Sequence, residues 1–125
     1  MLNVKKLIAK LLKSMSEVTE YEETIIHGNY IPSGGWIIKR TGSTVFLFLT
    51  SITSAPAGAF GIDAVIPESM RPSPFANKTI QPRTGSARPP IAVGCNANGS
   101  ISFYNYGTAI TGTANINETI SWTVL

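Results

Sequence analysis

The sequence predicts a mainly β chain: an antiparallel β-sandwich or jelly-roll-like barrel of eight or nine short strands, preceded by a short N-terminal α-helix. Three observations predict it. Beyond residue 23 the apolar residues recur with a period of two, where the first segment has a helical period. β-Branched and aromatic residues fill those runs, and Gly, Pro and Asn interrupt them roughly every 8 to 15 residues. No second long helical pattern follows the first. The division is therefore residues 1–22 as an amphipathic helix for oligomerisation or attachment, and residues 23–125 as a β-sandwich head.

In the first segment Val4, Ile8, Leu11, Met15 and Val18 recur at spacings of four and three, with Leu7 and Leu12 widening the stripe. That is about two heptads of apolar seam. So short a helix is marginal by itself, because nucleation is costly, and it needs a partner surface. Three partners fit: a parallel bundle with other protomers, the chain's own body, or a membrane surface reached through Lys5, Lys6, Lys10 and Lys13. The acidic run Glu17, Glu20, Glu22 and Glu23 counts against the membrane.

The expected strands are Glu23 to His27, Gly35 to Arg40, Thr44 to Thr50, Gly58 to Ile66, Lys78 to Arg83, Pro90 to Cys95, Ser100 to Tyr104 and Thr119 to Leu125, with a ninth around Thr108 to Thr111. Thr41-Gly42 and Asn98-Gly99 read as hairpin turns, since Gly and Asn tolerate positive φ. The segments 67–74 and 82–90 are too rich in proline for a helix or a central strand. In the last strand Ile120, Trp122 and Val124 face a core while Thr119, Ser121 and Thr123 face water. The run Thr44 to Thr50 differs: Val45, Leu47 and Leu49 line one face, and Phe46 and Phe48 the other. A strand apolar on both faces meets something besides its own core, either at an oligomer axis or under a covering loop.

Composition bounds the function. The 125 residues carry 14% charged side chains against about 25% in a typical globular chain, so neutral polar residues or other protein must cover the surface. No apolar run approaches the ~18 residues of a spanning helix, so no membrane insertion is expected. Lys10 and Lys13 break the signal-peptide pattern. The lone Cys95 permits no internal disulfide and suits synthesis in a reducing cytoplasm. The net charge of +3 arises from basic residues scattered singly, which argues against nucleic acid as a partner.

Catalytic material is scarce. His27 is the single histidine and has no metal-ligand spacing to Cys95 or to an acid, so neither a zinc site nor a Ser-His-Asp set is expected. After residue 23 the only acids are Asp63, Glu68 and Glu118; Asp63 and Glu68 could meet around a strand end as a glycosidase pair, but they read as an exposed strand position and a turn residue. Gly34-Gly35 and Gly58-x-x-Gly61 lack the following helix that a phosphate cradle needs. No cofactor is expected. What remains is a surface of amides, hydroxyls and tyrosines. Asn96 to Ser100 and Tyr104-Asn105-Tyr106-Gly107-Thr108 carry the chemistry of sugar recognition, in which amides bond to hydroxyl pairs and an aromatic face stacks on a pyranose. The same residues also make ordinary hairpins and exposed strand positions.

The helix seam, the hairpin Gly34 to Val45, the element Ile66-Pro67-x-x-Met70-Arg71-Pro72, Ile91-Ala92-Val93, Asn98-Gly99-Ser100-Ile101 and the closing Ile120-Ser121-Trp122-Thr123-Val124-Leu125 together resemble the head domains of tailed-phage receptor-binding proteins. The likeness is to the baseplate or tail-tip proteins of phages infecting Gram-positive bacteria. The resemblance implies a homotrimer of β heads on a helical shoulder, carried on the virion and binding a host cell-wall polysaccharide or a teichoic-acid-like glycan. It also implies attachment to other tail or baseplate proteins through the N-terminal helix. On this reading Val4, Ile8, Leu11, Met15, Phe46 and Phe48 form the trimer interface. Tyr104, Asn105 and Tyr106 contact sugar, and Arg71, Arg83 and Arg88 meet anionic decorations such as glycerol phosphate. The alternative is a structural virion protein, for capsid decoration or tail assembly, that binds no glycan.

Overall fold

The computed structural model describes residues 4–8 and 21–124. Residues 4–8 are helical, and Val4, Leu7 and Ile8 are at least half exposed in the single chain. The seam positions Leu11 and Met15 lie outside the described residues. Eight strands follow: β1 (Tyr21–Ile26), β2 (Trp36–Thr41), β3 (Thr44–Thr53), β4 (Gly58–Ile62), β5 (Phe75–Ile80), β6 (Ile91–Asn96), β7 (Ile101–Asn105) and β8 (Thr113–Thr123), with a 3-10 turn at Glu68–Met70. They form two antiparallel four-stranded sheets, ordered β1-β2-β3-β8 and β4-β7-β6-β5. The first is a meander closed by the last strand. In the second, β4 returns beside β7 in Greek-key order.

The mainly β expectation is met, with eight strands and two sheets. Alternation decides what each strand buries. In β3, Val45, Leu47 and Leu49 are buried, facing Trp36 and Ile38 of β2 and Ile120 and Trp122 of β8 on the same inner side. Ile80, Ile91, Val93, Ile101 and Phe103 supply the opposing layer. The sheets meet through Trp36 and Phe103, whose ring centroids are 6.3 Å apart, and Phe103 stacks on Phe60 at 4.8 Å. The indole N–H groups of both tryptophans are buried and satisfied: Trp36 donates to the Ser51 carbonyl at 2.9 Å and Trp122 to the Met70 carbonyl at 2.7 Å.

Several boundaries differ from expectation, each for a local reason. The fifth strand is Phe75–Ile80, three residues before the expected Lys78 to Arg83. Pro82 has no N–H to extend a ladder, and Phe75 pairs with Asn96 instead. The last strand starts at Thr113, six residues early, and is bent by a bulge: Leu49 pairs with Glu118 but Ser51 with Asn115, so one residue of β3, Thr50, stands against two of β8, Ile116 and Asn117. Asn117 takes φ 55° there. The shift turns both Ile52 and Ala114 inward, which breaks the simple alternation that ended the expected strand at Thr50. Residues 108–111 form no strand. The segment is pinned instead by the Ile110 amide donating to the Ala55 carbonyl at 2.7 Å. β4 stops at Ile62, and β1 begins at Tyr21.

The first expected hairpin forms one residue later than Thr41-Gly42, with its turn at Gly42-Ser43 because Thr41 still pairs with Thr44, and the Asn98-Gly99 turn forms as expected, with Gly99 at φ 88°. One side of the sandwich is stitched: the Arg83 amide donates to the Asn115 carbonyl at 2.8 Å, the Gln81 amide to the Glu118 carboxylate at 2.9 Å, and Lys78 Nζ to the Thr119 carbonyl at 2.9 Å.

Cys95 is buried on the inner face of β6, and burial pushes its thiol up to about 12 from an ordinary 9.0. The folded chain should resist iodoacetamide at pH 8, with labelling appearing only as denaturant unfolds it. Stability should decline as pH rises above about 9, because the unfolded chain then loses a proton that the folded chain keeps. Rapid labelling in native buffer would contradict this placement.

Candidate functional site: the outer face of the second sheet

Alternation on β5, β6 and β7 sends Phe75, Asn77, Ala92, Gly94, Asn96, Ser102 and Tyr104 to the side away from the core. The ladder aligns them in rows. Thr79 pairs with Ala92 and Ala92 with Tyr104; Asn77 pairs with Gly94 and Gly94 with Ser102; Phe75 pairs with Asn96. The small residues of β6 make a floor, and the larger ones on either side make a rim. The result is a trough of about 280 Å³. Its aromatic walls are Phe75, 58% exposed, and Tyr104, 47% exposed.

Among the described residues, no charged side chain lines this trough. Lys78, the nearest cation in sequence, points to the other sheet, where it bonds to the Thr119 carbonyl and pairs with Glu118 at 3.9 Å. The polar groups are amides and hydroxyls. Asn96 Nδ2 donates to the Ser102 hydroxyl at 2.9 Å and to the Ser100 hydroxyl at 3.0 Å, which fixes its orientation and leaves its Oδ1 without a partner among the described residues. The Asn77 side chain has no hydrogen bond among the described residues. Such a surface offers ring faces together with neutral donors and acceptors, the pairing that suits a sugar.

The residues predicted from sequence divide. Tyr104 stands in the trough wall, and Tyr106, 61% exposed, packs beside it with ring centroids 4.7 Å apart and planes 54° apart. Asn105 does not join them. It is 2% exposed, because an odd position of β7 faces the interior, and its amide is fully engaged. Its Nδ2 donates to the carbonyls of Pro56 and Thr108, both at 3.0 Å, and its Oδ1 accepts the Gly107 N–H at 3.0 Å and the Arg88 guanidinium. Asn105 is a structural hub, not a ligand contact. Arg88 is likewise committed, donating also to the Thr108 and Pro89 carbonyls.

The other arginines stand elsewhere. Arg71 Nε donates to the Ile66 carbonyl at 2.9 Å and lies against Gly99, where an added Cβ would come within 2.5 Å of that nitrogen. Arg83 follows β5 beside Asn115 and shares with Arg88 the loop depression formed by residues 81–88, about 530 Å³. The three cations thus do not gather at the trough. Phe75, Asn77, Gly94 and Ser102 escaped the sequence reading. The available signal was the strict small-apolar alternation of Ile91-Ala92-Val93-Gly94-Cys95-Asn96.

The outer face of the first sheet is different in kind. Ile25, Ile37 and Phe48 lie in one cross-strand row, with Glu23, Lys39 and Phe46 in the next. Ile25 and Ile37 are exposed and the two phenylalanines half-buried, their rings 6.4 Å apart. Lys39 covers part of the row, 5.7 Å from the Phe48 ring centre and 3.6 Å from the Glu23 carboxylate. Glu23 also accepts the Tyr21 hydroxyl at 2.8 Å, which raises the Tyr21 pKa. This face is apolar at its centre and charged at one edge.

The acids sit apart from the trough. Asp63 follows β4, Glu68 opens the 3-10 turn, and Glu118 is held by the Gln81 amide and Lys78. His27 is exposed just after β1, and among the described residues no three of His, Cys, Asp and Glu converge on a metal position. No protein-family model matches the chain, and no curated protein is significantly similar to it.

Proposed function

We propose that this chain is a non-catalytic saccharide-binding head of the phage tail receptor-binding type, homotrimeric, carried on the virion and directed at host cell-wall polysaccharide. The observation that carries the reading is the uncharged trough over β6, walled by Phe75 and Tyr104 and rimmed by Asn77, Asn96 and Ser102. The outer face of the first sheet supports self-association: Phe46 and Phe48 continue into Ile25 and Ile37, an exposed apolar row unusual for a face left to water. Val4 and Ile8, exposed on the N-terminal helix, add a second apolar strip. Three linked sites raise the apparent affinity for a repeating polymer far above that of one site, so each site can bind weakly. The helix would join the head to other tail proteins.

The same apolar row favours a second reading, a structural virion module whose β domain packs on other phage proteins. One experiment separates the two. Light scattering of the purified chain should give a mass near three times 13.4 kDa, and the trimer should be retained by cell walls of a susceptible Gram-positive host. Tyr104→Ala should weaken retention about tenfold or more per site, since a stacking ring contributes about 1.5 kcal/mol, without changing the mass. A trimer that ignores walls and glycans would support the structural module, and a monomer would remove the avidity argument.

A further inference from the structure

Gly94 occupies the middle of β6, a central strand of its sheet, where glycine weakens the strand and gives no side-chain packing. Nothing among the described residues requires it. Its φ is not positive, and a Cβ built there would meet nothing nearer than the Ser102 carbonyl at 4.0 Å. A glycine unexplained by its own fold commonly marks close approach of a ligand or another backbone. Here it forms the floor of the trough, midway between Asn77 and Ser102.

The two aromatic walls are far apart. Phe75 is registered with Asn96 and Tyr104 with Ala92, so they are offset by four residues along β6 and stand on the strands to either side of it. At about 3.3 Å per residue and 4.8 Å per strand, their backbone positions lie roughly 16 Å apart on a diagonal. A single sugar ring cannot reach both. Resting on the saccharide-binding reading above, we infer that the trough takes an uncharged oligosaccharide chain laid diagonally across β6. One ring stacks on Phe75 and another on Tyr104, and the rings between them pass over Gly94 within reach of Asn77 and Ser102. The uncharged lining, with Lys78 turned to the other sheet and the arginines on separate loops, selects against anionic chains, because an unpaired charge loses hydration there without gaining a partner.

The test is binding of the full chain to an array of bacterial glycans, uncharged and anionic, graded from one ring to six. Retention should be confined to uncharged chains of several rings. Gly94→Val, a substitution that suits a strand, should abolish it while the urea unfolding midpoint stays at or above that of the parent. Phe75→Ala, a change at an exposed side chain, should lower the affinity for long chains about tenfold and bring it toward that for short ones. Equal binding of monosaccharides, preference for anionic glycans, or full binding by Gly94→Val would overturn the diagonal-chain inference and leave saccharide binding standing. Retention of no glycan at all would overturn both.

Discussion

Trp36→Ala lowers the stability of this domain by about 4 kcal/mol, the largest effect expected of any single truncation here. Trp36 is fully buried on β2 and reaches across the sandwich to Phe103 on β7. Phe103 stacks on Phe60, which meets Tyr30 edge-on at 4.7 Å, so the indole anchors an aromatic chain that ties the two sheets together. Its removal opens a cavity that stiff flanking strands cannot close, and it leaves the Ser51 carbonyl without the indole N–H. Trp36→Phe separates the two contributions. It keeps most of the apolar contact and loses the hydrogen bond, at a cost of about 1 to 2 kcal/mol. Urea unfolding should place the alanine variant on the order of 2 M below the parent in midpoint. A loss under about 1.5 kcal/mol would mean that the sheets are held together elsewhere.

The second large effect falls between two small ones. Asn105→Ala should cost about 3 kcal/mol, because one buried side chain satisfies two backbone carbonyls and one amide and holds the Arg88 guanidinium. Its neighbours Tyr104 and Tyr106 are exposed, and alanine at either should change stability by only about 0.5 kcal/mol. Asn105→Ala should also speed hydrogen exchange at Gly107, whose N–H loses its acceptor, while leaving exchange in β2 and β3 at the parent's rate. If the three variants were equally stable, the hub described around Asn105 would not exist. The same pattern divides the segment: the flanking rings are exposed, and the amide between them is spent on holding the loop.

Much of this was legible beforehand. The alternation of Thr44 to Thr50 separated Val45, Leu47 and Leu49 from Phe46 and Phe48, and the structure buries the first set and leaves the phenylalanines on the outer face. The Asn98-Gly99 turn followed from backbone sterics alone. Where the period broke, reading failed. The bulge opposite Leu49 and Ser51 switches which parity of β3 faces the core, and Asn115 and Asn117 disguise the first half of β8. Tyr104, Asn105 and Tyr106 looked like one cluster because they are adjacent, yet successive residues of a strand point to opposite faces. The polar residue in that run therefore went inward and the aromatic ones outward.

By itself the sequence determined the class of the fold, the inner face of most strands, the shortage of acids and histidine, and the doubly apolar character of β3. These follow from local periodicity and composition, which act within a few residues. Only the tertiary structure decided which residues share the trough of the candidate site. Phe75, Gly94 and Tyr104 belong to three strands, and they share a surface because the ladder registers Phe75 with Asn96 and Ala92 with Tyr104. Register depends on bulges, prolines and core packing summed over the whole sheet, so neighbourhood across strands arises only when the sheet has formed.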